Sequence, residues 1–197
     1  MKQLLVDTIL FELSSALVTE AISENKPLTV TGILQRAEAQ NQNGRVYSKP
    51  ILEREATKYS GAQVRERRAL GELDHPETSV VNLNNASHNV KKMWWEGNNL
   101  LGEVEVLGTP AGNILKELFR AGIKLGISSR GLGSVEESEG VANVQEDFEL
   151  IAFDFVSNPS TQGAFMFPGK LNEGVENKKV YRYSKVNRII TEILSGE

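Results

Sequence analysis

Asp154 stands in an otherwise apolar run, Leu150-Ile151-Ala152-Phe153-Asp154-Phe155-Val156. A run this short suits a strand buried on both faces rather than a helix. Alternation puts Phe148, Leu150, Ala152, Asp154 and Val156 on one face and Ile151, Phe153 and Phe155 on the other. An ionised carboxylate among such neighbours is costly unless it is paired and hydrogen-bonded. The fold must therefore bring Asp154 either backbone amides near Asn158-Pro159 or a basic side chain. A histidine would serve, and histidines are scarce: His75 and His88 are the only two in 197 residues.

Composition removes several alternatives. The chain has no cysteine, which excludes a thiol nucleophile, a disulfide framework and a thiolate metal site. With two histidines, a zinc site would need mostly carboxylates, so neither metal nor cofactor is expected. Net charge is -4 and the 22 basic residues are scattered. The small cluster Arg65, Arg67, Arg68 reads as a solvated face, and direct nucleic-acid binding is not expected. No apolar run approaches the ~20 residues of a membrane span. Asp7, Glu12 and Glu20 argue against a signal peptide, so the protein is expected to stay where it is made.

Leu5, Ile9, Leu13, Leu17 and Ala21 recur at a spacing of four, and residues 3–22 are expected to form a helix. Residues 28–34 read as a strand, 41–44 as a turn, and Ser48 with Pro50 as a helix start continuing to Tyr59. Residues 69–73 form a short strand ending at Asp74-His75-Pro76, and the polar stretch 77–89 reads as a loop. Residues 90–95 and 100–107 make a hairpin around Gly97. Thr109-Pro110 opens a helix that Gly122 terminates. Residues 124–129 form a strand, and the glutamate-rich stretch 136–146 a solvated turn. Residues 169–179 are a linker to an amphipathic C-terminal helix from Ser184. The sum is α+β: a mostly antiparallel sheet or barrel with helices around it.

Three side-chain types here could act together. Pro76 fixes the chain after His75, which suits a histidine held at a strand end. His88, in Asn-Asn-Ala-Ser-His-Asn, has no such context and is expected in solvent. Ser128 and Ser129 are read as ending a strand before Arg130-Gly131-Leu132-Gly133. A hydroxyl there could be exposed, with backbone N–H groups and Arg130 near a developing oxyanion. Each feature also has a plain reading: a capping histidine, a polar turn, an aspartate bonded to amides. Together they supply nucleophile, base and orienting acid, the logic of a Ser-His-Asp triad. Other readings are a non-catalytic barrel of structural use, and a metal hydrolase using Glu72, Asp74 and His75. Neighbouring strand positions point to different faces, which disfavours the metal site.

Several blocks, in order, resemble the prohead core proteases of T-even-type tailed phages: Gln35-x-Ala37-Glu38, Asn41-x-Asn43-x-Arg45-x-Tyr47, Ile51-Leu52-Glu53, Ala69-Leu70-Gly71-Glu72-Leu73-x-His75-Pro76, Met93-Trp94-Trp95-x-Gly97-Asn98, Gly126-x-Ser128-Ser129-Arg130-Gly131-Leu132-Gly133-Ser134, and Asp154 before Pro159-Ser160. The resemblance spans about residues 28–165. It implies a serine endopeptidase with a β-barrel wrapped by helices, similar to herpesvirus assemblin. The family histidine falls on His75 and its serine on the Ser128-Ser129 pair. Matching from the left edge of the block selects Ser128; a Ser-x-Gly match to more distant capsid proteases selects Ser129. With Ser128 as nucleophile, the N–H of Ser129 or Arg130 would serve the oxyanion. Asp154 is the implied third member. Assemblin-type enzymes use a second histidine there, which makes His88 the runner-up.

The same resemblance implies cleavage after Glu in Leu/Ile-x-Glu sequences. The chain holds four: Leu10-Phe11-Glu12, Leu101-Gly102-Glu103, Leu171-Asn172-Glu173 and Ile190-Thr191-Glu192. Self-cleavage is expected after Glu173, in the linker, and after Glu12. Arg45 and Arg130 are candidates to grip the substrate glutamate, with Arg36 weaker. The expected organisation is an N-terminal helix and propeptide over 1–27, a protease domain over 28–168, and a linker with C-terminal helix over 169–197. The implied substrates are phage scaffold or core proteins and the major capsid protein, met in the host cytoplasm inside the assembling prohead. A homo-oligomer fits the resemblance, but no interface is legible in the sequence.

Overall fold

The computed structural model describes residues 3–9, 27–157 except 77, 124 and 139, and 166–168. Among the described residues there are eleven strands: β1 (Gln3–Ile9), β2 (Thr29–Arg36), β3 (Arg45–Val46), β4 (Leu70–Glu72), β5 (Ala86–Glu96), β6 (Asn99–Val106), β7 (Gly126–Gly133), β8 (Val135–Ser138), β9 (Val141–Val144), β10 (Glu149–Val156) and β11 (Met166–Pro168). The helices are α1 (Lys49–Tyr59), extended by a wider turn over Ser60–Val64, and α2 (Pro110–Arg120). Proline sits in the first turn of each helix, where its missing N–H costs no hydrogen bond. Thr109 caps α2: its Oγ1 accepts from Gly112 N at 3.0 Å.

The strands form three hydrogen-bonded sheets, in orders β1-β7-β10, β11-β2-β6-β5-β4 and β3-β9-β8. Pairing is antiparallel except for β3 with β9 and a single parallel bridge from Leu73 to Phe155. That bridge ties the end of β4 to β10. The expected mixed α+β class holds, but among the described residues the strands do not close into one barrel. The main core lies between the first two sheets, where Ile127, Phe153 and Phe155 meet Val30, Leu34, Val90, Val104 and, from α2, Phe119. A smaller core gathers Leu5, Tyr47, Ile51, Leu52, Val144 and Phe148.

Four expectations need correction. Residues 3–9 are a strand on the edge of β7, not a helix. A spacing of four residues is also a multiple of the strand period of two, so that apolar stripe fits either element. The rest of the expected N-terminal helix lies outside the described residues. The 77–89 loop is shorter than expected, because β5 begins at Ala86. The glutamate-rich stretch after Ser134 is the β8–β9 hairpin. The serine pair lies inside β7, which runs on to Gly133. Gly131 and Gly133 do not make a turn there; they make room for Phe148. A Cβ on Gly131 would lie 2.4 Å from the Phe148 ring.

Candidate active site

β7 and β10 are antiparallel neighbours, and their register sets Asp154 opposite Ser128 and Phe153 opposite Ser129. Opposed residues share a face of the sheet. Ser128, Arg130 and Asp154 therefore project together, while Ser129 and Phe153 project into the main core. A bulge at Ile151 breaks the simple alternation expected for this strand, so Leu150 does not continue the face of Ala152 and Asp154.

His75 reaches the same face from the end of β4. After the Leu73–Phe155 bridge, Asp74 N donates to Phe155 O at 2.7 Å. Asp74 then takes a left-handed conformation, φ 69°, which aspartate tolerates better than most residues. Its Oδ1 accepts the His75 N–H at 2.9 Å, and Pro76 restrains the chain beyond. The result places His75 Nδ1 3.1 Å from Asp154 Oδ2. A carboxylate accepts, so Nδ1 carries the proton and Nε2 is left as the acceptor nitrogen. His75 Nε2 and Ser128 Oγ are both buried, and neither has a hydrogen-bond partner among the described residues.

Asp154 has the partners its burial demands. Its Oδ1 accepts from Glu72 N at 2.9 Å and from Arg130 Nη2 at 3.2 Å. Arg130 Nε lies 2.9 Å from Oδ2, an ion-pair contact whose N–H is not aligned for a hydrogen bond. Burial alone would push the Asp154 carboxyl up. The His75 hydrogen bond, the Arg130 charge and the Glu72 amide outweigh it and hold the group below the ordinary carboxylate range. Asp154 is thus an anion aimed at His75.

Arg130 is fully buried. Besides Asp154, its Nη2 donates to Glu72 Oε1 at 3.0 Å and its Nη1 to Thr78 O at 2.8 Å. Its guanidinium is occupied, so Arg130 is not presented to a substrate carboxylate as the sequence suggested. Ser129 and Arg130 also lie mid-strand between β1 and β10, where the ladder engages main-chain amides. The free oxyanion donors expected at a strand end are therefore absent from these two positions.

Ser129 and His88 have structural partners. The bulge in β2 between Ile33 and Gln35 aims Gln35 across to the other sheet, where its Nε2 donates to Ser129 Oγ at 2.8 Å. His88 is not in solvent: it is fully buried on β5. Its Nε2 donates to Phe153 O at 2.8 Å, and its Nδ1 lies 2.8 Å from Ser87 Oγ. Burial pushes its imidazole down to about 4, against the opposing pull of Asp154. Gly71 makes this contact feasible, because a Cβ there would lie 1.9 Å from Phe153 O. His88 therefore holds the backbone beside Asp154 and does not face His75.

Arg45 sits on β3, in the third sheet, and Arg36 on β2 donates through Nε to Asn99 Oδ1 at 2.8 Å. Neither shares the sheet of Ser128. Glu72, Asp74 and His75 do not converge as a metal site: they face Arg130, the His75 main chain and Asp154 respectively. Glu12 and Glu173 lie outside the described residues. Sequence reasoning missed Glu72 and Gln35 as parts of the buried network. Glu72, between Gly71 and Leu73, carried the same signal as Asp154: an acid inside a short apolar strand.

The profile of the prohead core protein serine protease family matches residues 11–176. The prohead core protein protease of Enterobacteria phage T4 is 39% identical over 150 residues, covering 74% of this chain and 71% of that protein. The solved structure of the bacteriophage T4 capsid assembly protease superposes with a TM-score of 0.70 at 32% identity, covering 80% of this chain and 99% of that one.

Proposed function

This chain belongs to the prohead core protein serine protease family, and from that membership and the site geometry we propose that it is a serine endopeptidase with Ser128 as nucleophile, His75 as general base and Asp154 as the acid that orients it. One observation carries the assignment of roles: Asp154 faces Ser128 across the β7–β10 pair while its Oδ2 holds His75 Nδ1. Ser129 is turned to the core and bonded by Gln35, which favours Ser128 between the two hydroxyls.

With Nδ1 donating to Asp154, His75 Nε2 is the free acceptor. It takes the Ser128 hydroxyl proton as Oγ forms a bond to the scissile carbonyl carbon. Asp154 stabilises the resulting imidazolium. His75 returns the proton to the leaving amine as the C–N bond breaks, and water then hydrolyses the acyl-enzyme by the same route. The Ser128–His75 hydrogen bond is not formed in this structure. In catalytic sites of this type it tightens when substrate arrives.

The substrates proposed are prohead core or scaffold proteins and the major capsid protein, cut after Glu in Leu/Ile-x-Glu inside the assembling prohead in the host cytoplasm. The T4 relatives, a prohead core protein protease and a capsid assembly protease, support this setting. Arg45 remains the candidate for the glutamate pocket. The proposal extends to an assemblin-like ancestry of the fold, self-association, and self-cleavage after Glu173 and Glu12 that trims the unit to its protease domain. A peptide carrying Leu-x-Glu tests the reading: mass spectrometry should show one cut, after the glutamate. Intact mass of the enzyme after activation should show loss of residues 174–197. An uncut peptide under conditions where the chain sheds no terminus counts against both.

A further inference from the structure

Glu72 is as deeply buried as Asp154, yet a Ser-His-Asp arrangement has no place for a second acid. Its Oε1 accepts from Arg130 Nη2 at 3.0 Å and from Asn82 N at 2.9 Å. Its Oε2 is buried with no hydrogen-bond partner among the described residues. Its own N–H is one of the donors to Asp154 Oδ1, at 2.9 Å. Glu72 thus touches Asp154 through the main chain and Arg130 through the side chain.

Counted at formal charges, Arg130 brings one positive charge to this buried cluster, and Glu72 and Asp154 bring one negative charge each. The three sum to one excess negative charge. An uncompensated interior charge is costly, so such a cluster persists only where something offsets it. With a neutral residue at position 72, Arg130 alone would balance Asp154, and little net field would remain at His75. With Glu72 present, Arg130 is shared between two carboxylates.

We infer that Glu72 is a positioning residue of the reaction: by sharing Arg130 with Asp154 it keeps one negative charge in excess beside His75, and the imidazolium formed when His75 takes the Ser128 proton completes the balance. The inference rests on the roles proposed above for His75, Ser128 and Asp154. Glu72 itself touches no reacting atom. It acts through Arg130 and Asp154, and the charge it holds matters only once the proton has moved, so its effect falls on turnover rather than on substrate affinity.

The test uses the full chain and a Leu-x-Glu peptide. Active sites are counted with a fluorophosphonate that esterifies the nucleophilic serine, so that any loss of folded protein drops out of kcat. Glu72→Gln keeps an acceptor for Arg130 and Asn82 but removes the charge. It should label to completion on Ser128, lose on the order of tenfold in kcat per labelled site, and leave KM within about twofold. Glu72→Asp, which keeps the charge, should recover most of the loss. Equal kcat in Glu72→Gln and wild type overturns the inference, as does an equal loss in the aspartate and glutamine variants. Should the glutamine variant not fold, the aspartate variant decides: kcat within a few-fold of wild type supports the charge role, and a loss as deep as that of Ser128→Ala overturns it. Wild type that takes no label on Ser128 removes the nucleophile assignment, and the inference with it. That outcome is distinct from a labelled enzyme indifferent to Glu72.

Discussion

The imidazole of His75 meets the carboxylate of Asp154 at 3.1 Å, across 79 positions of sequence. The contact joins the end of β4 to the middle of β10, and Arg130 and the Glu72 amide hold the carboxylate from its other sides.

Asp154→Asn should damage both fold and activity. It leaves Arg130 with one carboxylate and turns an amide donor toward groups that already donate. Breaking a buried ion pair on one side costs about 3 kcal/mol or more, and misdirecting the base costs roughly 10³–10⁴ in kcat. Urea unfolding and peptide cleavage measure the two. The stability difference has a pH signature. The folded carboxyl lies below its unfolded value, so its contribution is complete above about pH 3.9 and is lost as pH falls through the lower folded value. Wild type and variant should therefore converge in strong acid.

His88 should set the sensitivity at milder acidity. Its folded value is about 4 against about 6.5 for a free imidazole. The unfolded chain then binds a proton that the folded chain refuses, so stability is full above about pH 6.5 and declines toward pH 4, by ~3 kcal/mol at most. Asp154 and Glu55 are both held below the ordinary carboxylate range, so their contributions are lost at lower pH than where the His88 decline begins. His88→Gln should be less stable at neutral pH but flatter between 6.5 and 4. An unchanged slope would locate the acid sensitivity elsewhere.

Gly71→Ala should be severely destabilising. Its Cβ would lie 1.9 Å from Phe153 O and 2.2 Å from His88 Nε2, and neither can retreat without breaking their bond. Overpacking of this kind costs about 1–3 kcal/mol, more where backbone must move. Thermal unfolding reads it directly, and a variant as stable as wild type would contradict the described contact.

The parts of this site that were legible in sequence are those fixed by local chemistry. An aspartate inside an apolar strand demanded a partner, and a histidine locked before proline was a credible one. Thr109-Pro110 marked a helix start for the same local reason. What escaped depended on tertiary contacts. The glycines after the serine pair read as a turn, but they accommodate Phe148. The polar stretch around His88 read as a loop, but from Ala86 on it is a buried strand, and the His88 ring meets Ser87 Oγ and Phe153 O. The N-terminal stripe read as a helix, but β7 supplied an edge for it. Arg130 looked like a substrate ligand because no sequence pattern announces that Glu72 and Asp154 would enclose it.

Paired alanine substitutions decide whether Ser128, rather than Ser129, attacks. Ser128 Oγ has no hydrogen-bond partner among the described residues, so Ser128→Ala should leave stability nearly unchanged while abolishing cleavage of a Leu-x-Glu peptide. Ser129→Ala should do the reverse. It strands Gln35 Nε2 in the core, costs about 1–3 kcal/mol in urea unfolding, and leaves cleavage intact once folded protein is counted. Retained cleavage in Ser128→Ala, or abolished cleavage in a folded Ser129→Ala, would rule out Ser128 as the nucleophile.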